Sequence, residues 1–277
     1  MSILFYGNCQ LGALKKITNI EGYVSTYICC YNTKLTCEEF LDLIQVSDII
    51  ITQPIGENYK SKEYLSTKYI INNCKQSCKV IILDSCYFKF YYPDLTYAIF
   101  KDVPLNKPGD YHYNALMNCY REKKPVEKYI SDYVEDENFL TAENLETLAN
   151  KSLSALLERA KCIINTYLIN NEKVFYISTH DYIKENYKNK LLFYSINHPC
   201  SNVLYFLCEE IINITGLKIA IDYNINVLDT HKGILYKCIQ KAVNFNINDF
   251  NPMVRNKTNI NDIVNLYYDA YKSIGFE

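Results

Sequence analysis

Ser2-Ile3-Leu4-Phe5-Tyr6-Gly7-Asn8-Cys9-Gln10 is an apolar run that stops at two turn residues and passes into a helical pattern from Gln10 to about Asn19. It reads as strand, tight turn, helix. The same sentence repeats downstream. A β-rich run from Tyr23 to Ile28 precedes a helical pattern from Cys37 to Gln45 behind the cap candidate Thr36, which leads to Asp48-Ile49-Ile50-Ile51-Thr52. A further helix from Ser61 to Asn73 leads to Lys79-Val80-Ile81-Ile82-Leu83-Asp84. Strands apolar on both faces that alternate with helices predict a parallel sheet covered on both sides, an α/β core of three layers.

The regularity then loosens between Tyr87 and Pro125, where Pro93, Pro104, Pro108 and Gly109 interrupt it, although Tyr111 to Arg121 has helical spacing. Residues 125–188 read as largely helical, most strongly from Thr141 to Asn170. The sheet pattern returns as Lys190-Leu191-Leu192-Phe193-Tyr194-Ser195-Ile196, followed by Asn197-His198-Pro199 and an amphipathic helix from Ser201 to Thr215. Helical patterns from Gly233 to Val243 and Asn259 to Ser273, with an Asn-rich loop between them, complete the chain. The expected organisation is one domain over 1–277: an α/β core at about 1–100 and 189–216, a helical insertion at about 110–188 and a helical C-terminal segment at about 217–277.

Composition bounds the function. Of 277 residues 49% are hydrophobic, enough for a sizeable core, which excludes a disordered or fibrous chain. With 29 Lys and Arg against 31 Asp and Glu and no basic run, nucleic acid is not an expected partner. Twelve cysteines scattered through a core-forming sequence without a signal peptide point to reduced thiols and a cytoplasmic setting, with peripheral attachment to the inner face of the membrane left open. Cys74 and Cys78 lack a second ligand pair at zinc spacing, so no metal is expected. No stretch reaches the roughly 18 to 20 apolar residues of a membrane span. The 27 tyrosines accompany a general richness in Asn, Ile and Lys and are read as compositional bias.

In open parallel sheets, ligands bind beyond the carboxyl ends of the strands. Three polar clusters fall there and are predicted to share one rim: Gly7-Asn8-Cys9-Gln10, Thr52-Gln53-Pro54 and Asn197-His198-Pro199. A thiol at Cys9 would meet unpaired N–H groups and the positive end of a helix dipole, which favour thiolate. Gly7 permits the tight turn, and the N–H groups of Cys9 and Gln10 could face a developing oxyanion. His198 is the matching base candidate, with His112 as a second functional histidine. Asn8, Gln10, Gln53 and Asn197 offer non-titrating donors, although capping or turn formation competes for Asn8. Asp84 or Asp94 could orient the imidazole.

Gly7-Asn8-Cys9-Gln10, Asp48 through Pro54, Tyr92-Pro93-Asp94-Leu95, Tyr111-His112 and Asn197-His198-Pro199, in this order, resemble the WcbI-type polysaccharide biosynthesis family. The resemblance implies a coenzyme A-binding, acetyltransferase-like protein of capsular or surface polysaccharide synthesis with acetyl-CoA as a substrate and a sugar or polysaccharide precursor as acceptor. It implies Cys9 as nucleophile and His198 as base; Asp94 is the carboxylate assigned beside them. Tyr92 stands where a histidine is expected. The layout also resembles SGNH hydrolases with Cys9 in place of serine, so an esterase or deacetylase stays open, as does a non-catalytic protein that binds glycans or nucleotide sugars.

Overall fold

The computed structural model describes residues 1–100, 108–246 and 250–276; the remainder, in the proline-interrupted stretch, the Asn-rich loop and the last position, lies outside the described residues. Two compact units emerge: residues 1–86, 154–184 and 201–228, and residues 87–153, 185–200 and 229–276.

The first unit holds a five-stranded parallel sheet. Its strands are β1 (Ser2–Gly7), β2 (Val24–Cys29), β3 (Ile49–Thr52), β4 (Lys79–Leu83) and β5 (Val174–Ile177), in the order β2-β1-β3-β4-β5. Ile50 pairs with Leu4 and Val80, so every second residue of the three central strands shares a face. Leu4, Tyr6, Ile50, Val80 and Ile82 line one face and pack in a single cluster with Phe40, Ile44, Ile70 and Ile71. Their neighbours Ile3, Phe5, Ile51 and Ile81 face the other way and are equally buried. Burial on both faces is what makes these strands continuous apolar runs. Tyr6 joins this core because its hydroxyl donates to the Leu65 carbonyl at 2.9 Å.

Three helices begin where the sequence supplies a cap. Asn8 Oδ1 accepts from Gln10 N–H at the start of α1 (Cys9–Ile17). At α2 (Cys37–Val46), Thr36 and Glu39 form a reciprocal capping box, and Ser66 caps α3 (Thr67–Asn73).

The fifth sheet strand corrects the sequence expectation. It is Val174–Ile177, inside the stretch read as helical, whereas Phe193–Ser195 pairs antiparallel with His198–Pro199 in the second unit. Four residues between polar flanks carry little periodicity, while the longer run at 190–196 imitates a core strand.

The second unit has a tyrosine core. Tyr91, Tyr92, Tyr113, Tyr129, Tyr236, Tyr267 and Tyr271 are fully buried. Each hydroxyl has a partner: Tyr92 donates to the Phe193 carbonyl at 3.0 Å, Tyr267 to the Tyr111 carbonyl at 2.9 Å, and Tyr113 accepts from Ile234 N–H at 2.9 Å. Tyr91 donates to the Tyr187 carbonyl at 2.6 Å, Tyr129 and Tyr236 share a bond of 2.6 Å, and Tyr271 bonds His112 at 3.0 Å. Without these bonds each buried hydroxyl would cost roughly 1–3 kcal/mol. Seven of the 27 tyrosines thus serve this core as hydrogen-bonded interior rings.

Two substitutions separate core from cap in the first unit. Ile50→Ala should lower unfolding free energy by about 2–5 kcal/mol and Thr36→Ala by about 1 kcal/mol, measured by urea denaturation; the reverse ranking would contradict this arrangement.

Candidate functional site

Strand order reverses direction between β1 and β3, and a crevice opens at such a point beyond the strand ends. Gly7-Asn8-Cys9-Gln10 follows β1 and Gln53 follows β3, so the fold brings these two predicted clusters together. Amides lock them. Asn8 N–H donates to Gln53 Oε1 at 2.9 Å, and Gln53 Nε2 donates to Gln10 Oε1 at 3.1 Å and to the Asp84 carbonyl at 3.4 Å. Gln10 Oε1 also accepts from Cys86 N–H at 3.0 Å, and its Nε2 donates to the Cys86 carbonyl at 2.9 Å. Two backbone N–H donors fix which way both carboxamides point.

Gly7 is required by this clamp. A Cβ there would lie 2.7 Å from Gln53 Oε1. On the other side of the turn, Tyr27 donates its hydroxyl to the Asn8 carbonyl at 2.9 Å, and its ring lies so near Gly12 that a Cβ would approach to 2.8 Å.

The clamp occupies groups that the sequence offered as oxyanion donors. Gln10 N–H is bound to Asn8 Oδ1 at 2.8 Å, and both Gln10 and Gln53 spend their carboxamides on the protein. Asn8 keeps one group in hand: among the described residues its Nδ2 has no protein partner.

Cys9 sits partly buried at the first position of α1, with the N–H groups of Cys9 and Gln10 acting on its sulfur. Burial nevertheless dominates and pushes the thiol above its ordinary value, against the lowering by those N–H groups; Cys29 and Cys30 add to the rise. The lowering expected from the helix N-terminus is therefore present but outweighed by burial.

Behind the clamp, Asp84 ties β4 to the end of β5. It accepts from Thr179 N–H at 2.7 Å, Thr179 Oγ1 at 3.0 Å, Ser178 Oγ at 3.4 Å and the Tyr176 hydroxyl. Such a saturated carboxylate is a structural tie.

His198, Asn197, His112 and Asp94 lie in the second unit. The Tyr111 hydroxyl stands 3.1 Å from His198 Nε2 and donates to Asn197 Oδ1 at 2.5 Å. Having spent its only proton on Asn197, Tyr111 must accept from His198, which puts the ring proton on Nε2 and the lone pair on Nδ1. Tyr111 and Asn197 therefore set the tautomer of His198. Sequence reasoning quoted Tyr111 only as part of the Tyr111-His112 motif and gave it no role of its own.

Alternation along the strand Tyr111–Tyr113 turns His112 away from that partner. His112 is buried at 1% exposure, bonded through Nδ1 to Tyr271 at 3.0 Å, and burial pushes its ring down to about 4. It is a neutral core histidine. His231, whose ring lies 4.6 Å from that of Tyr111, is pushed down to about 3 by burial first and by His198, Arg255 and His112 next.

Asp94 caps the helix Asn114–Arg121. Its carboxylate accepts from Ala115 N–H at 3.0 and 3.1 Å and from the Tyr236 hydroxyl at 3.0 Å, and burial raises its pKa.

Among the described residues no group of three or more His, Cys, Asp or Glu side chains could hold a metal, and no helix is long and apolar enough to cross a membrane. None of the twelve cysteines forms a disulfide. The Cys74 thiol donates to the Ile71 carbonyl, and the neighbouring Cys78 thiol, with the Lys173 ammonium, holds Cys74 down at about 6.

A parallel α/β sheet with a cysteine at its strand crossover is the class that fold and site define. The family model described as "Polysaccharide biosynthesis enzyme WcbI" matches residues 2–219, and the chain belongs to this family of polysaccharide biosynthesis enzymes. The fold is shared with a solved structure of WcbI, described as a polysaccharide biosynthesis enzyme in its native form without a disulfide bond between coenzyme A and one of its cysteines. The two chains superpose with a TM-score of 0.78 at 18% identity, over 98% of this chain and 90% of that one. No curated protein matches.

Two outcomes follow for stability. Gly7→Ala should displace Gln53, leave Asn8 N–H without its acceptor and cost about 1–3 kcal/mol in urea denaturation. The buried neutral histidines titrate below their unfolded value of about 6.5, so the unfolded chain binds more protons as pH falls from 7 to 5. Stability should drop over that window by up to about 1.4 kcal/mol per pH unit for each ring. The slope should flatten in His231→Phe; a pH-independent urea midpoint would contradict it.

Proposed function

We propose that the chain is an O-acetyltransferase that moves an acetyl group from acetyl-CoA to a hydroxyl of a sugar or polysaccharide precursor, with Cys9 as nucleophile and His198 as general base. The observation that carries this is the Cys9 thiol at the N-terminus of α1, at the crossover between β1 and β3. Support for the donor comes from the related WcbI structure, whose description names coenzyme A and a cysteine, there without a disulfide bond between them.

The resting thiol defines the first step. Its proton passes to the imidazole of His198, and the Cys9 sulfur attacks the thioester carbonyl. The bond from that carbon to the CoA sulfur breaks, and CoA leaves with the proton from the imidazolium. The sugar hydroxyl then gives its proton to His198 as its oxygen attacks the acetyl-cysteine. The carbon–sulfur bond breaks, releasing the acetyl ester, and Cys9 recovers its proton. In both steps the negative charge on the carbonyl oxygen is met by Asn8 Nδ2 and the N–H of Cys9. Gln53 and Gln10 are positioning residues that hold this turn, and Tyr111 and Asn197 position His198.

Incubation with acetyl-CoA in the absence of acceptor should add one acetyl group at Cys9, seen by intact mass and peptide mapping. Cys9→Ala should lose activity by several orders of magnitude, and Asn8→Ser, which keeps the cap and removes the donor, by about 100-fold. An unacetylated Cys9 together with full activity in Cys9→Ala would overturn the proposal. Acetyl release to water without transfer would identify an esterase instead.

A further inference from the structure

Tyr97 is placed unlike the buried tyrosines of the second unit. The strand Leu95–Tyr97 pairs antiparallel with Tyr111–Tyr113 in a register that sets Tyr97 opposite Tyr111, and a bond from Ala98 N–H to the Asp110 carbonyl at 2.9 Å continues the ladder. Facing residues on two such strands meet side chain to side chain. The two rings lie 4.8 Å apart, and the Tyr97 hydroxyl donates to the Tyr111 hydroxyl at 3.3 Å. Tyr111 in turn bonds His198, so Tyr97 stands two hydrogen bonds from that imidazole.

An amphipathic side chain at a surface ordinarily buries its apolar body and leaves its polar tip in water. Tyr97 does the reverse: its hydroxyl is spent on the protein while the residue stays 50% exposed, against 8% for its partner Tyr111. Packing alone does not call for this placement, since the same unit takes in seven other phenols whose hydroxyls are bonded. A ring pinned by its hydroxyl presents a fixed apolar surface to solvent. Here that surface adjoins the histidine assigned as base.

A ligand that covers such a surface needs an apolar face, and beside phenol and carboxamide groups it needs a rim of hydroxyls. A pyranose has both, with C–H bonds across one face of the ring and hydroxyls around its edge. A phosphate would call for cations, whereas the hydroxyl of Tyr111 and the carboxamide of Asn197 are hydroxyl-binding groups. We propose that Tyr97 is the platform on which the pyranose ring of the acceptor stacks, so that one of its hydroxyls faces His198. This inference rests on the reading of His198 as the base that takes the acceptor's proton, and it adds the residue that selects the acceptor. No bond is made or broken at Tyr97; it contacts the sugar and leaves the acyl chemistry to Cys9 and His198.

Saturation-transfer NMR of the full chain with methyl β-D-glucopyranoside, methyl β-D-galactopyranoside and methyl α-D-mannopyranoside tests it, with UDP as the charged comparison. At least one glycoside should receive saturation, most strongly at its ring C–H protons. Tyr97→Ala and Tyr97→Leu should each reduce that signal about fivefold or more, whereas Tyr97→Phe, which keeps the ring, should retain most of it. Leucine preserves the bulk at this half-exposed position, so Tyr97→Leu should keep the urea midpoint of the parent. Tyr223→Ala removes another exposed tyrosine, in the first unit, and should leave the signal unchanged. Cys9→Ala should bind the glycoside as the parent does, and Cys9 should still be acetylated by acetyl-CoA in Tyr97→Leu. An unacetylated Cys9 with glycoside binding intact therefore counts against the acyl-enzyme alone. No glycoside binding by the parent, an equal signal in Tyr97→Leu, loss of the signal in Tyr97→Phe or Tyr223→Ala, or binding of UDP alone would overturn the proposal.

Discussion

The carboxamide of Gln53 holds the turn that carries Cys9. It takes the Asn8 N–H on one side and the Gln10 carboxamide on the other, joining the ends of β1 and β3 at the one place in the sheet where strand order reverses. Each bond is buried or nearly so and would be costly to leave unmade. The clamp thus converts a glycine-containing turn, which would otherwise be mobile, into a fixed mount for a sulfur atom. Gly7 has no side chain because the clamp fills that space.

Much of this was legible in the sequence. Runs such as Ile49-Ile50-Ile51 are apolar at every position because both faces of the sheet are covered, and that pattern needs no knowledge of the fold. Thr36 and Asn8 announce helix starts because their oxygens can take an orphan N–H, and both do so. Cys9 was legible from its place after a strand and before a helix. Gln53 was legible as a polar residue at a strand end, but its role differs: a carboxamide can serve a substrate or a backbone equally well, and only the partner atoms decide.

What escaped the sequence shares a physical cause. Val174–Ile177 is too short to show a period among polar neighbours. The tyrosine core of the second unit was hidden because a phenol is half polar; only the hydroxyl partners, contributed by residues as distant as Phe193 and Ile234, reveal that these rings are interior. Tyr111 rather than His112 meets His198 because adjacent residues on a strand face opposite ways. Asp94, expected beside the catalytic imidazole, spends its carboxylate at the start of the helix Asn114–Arg121 and on Tyr236.

The energetic balance at Cys9 then shapes the chemistry. A helix N-terminus lowers a thiol's pKa and burial raises it; here burial is the larger effect. We propose His198, whose ring is bonded by Tyr111, as the group that takes the proton. The most direct measurement is the rate of Cys9 alkylation by iodoacetamide at neutral pH, compared between the parent chain and His198→Gln. If the imidazole takes the thiol proton, the rate falls by about tenfold or more in the variant and recovers only at alkaline pH. Equal rates at every pH would contradict the pairing of this cysteine with this histidine.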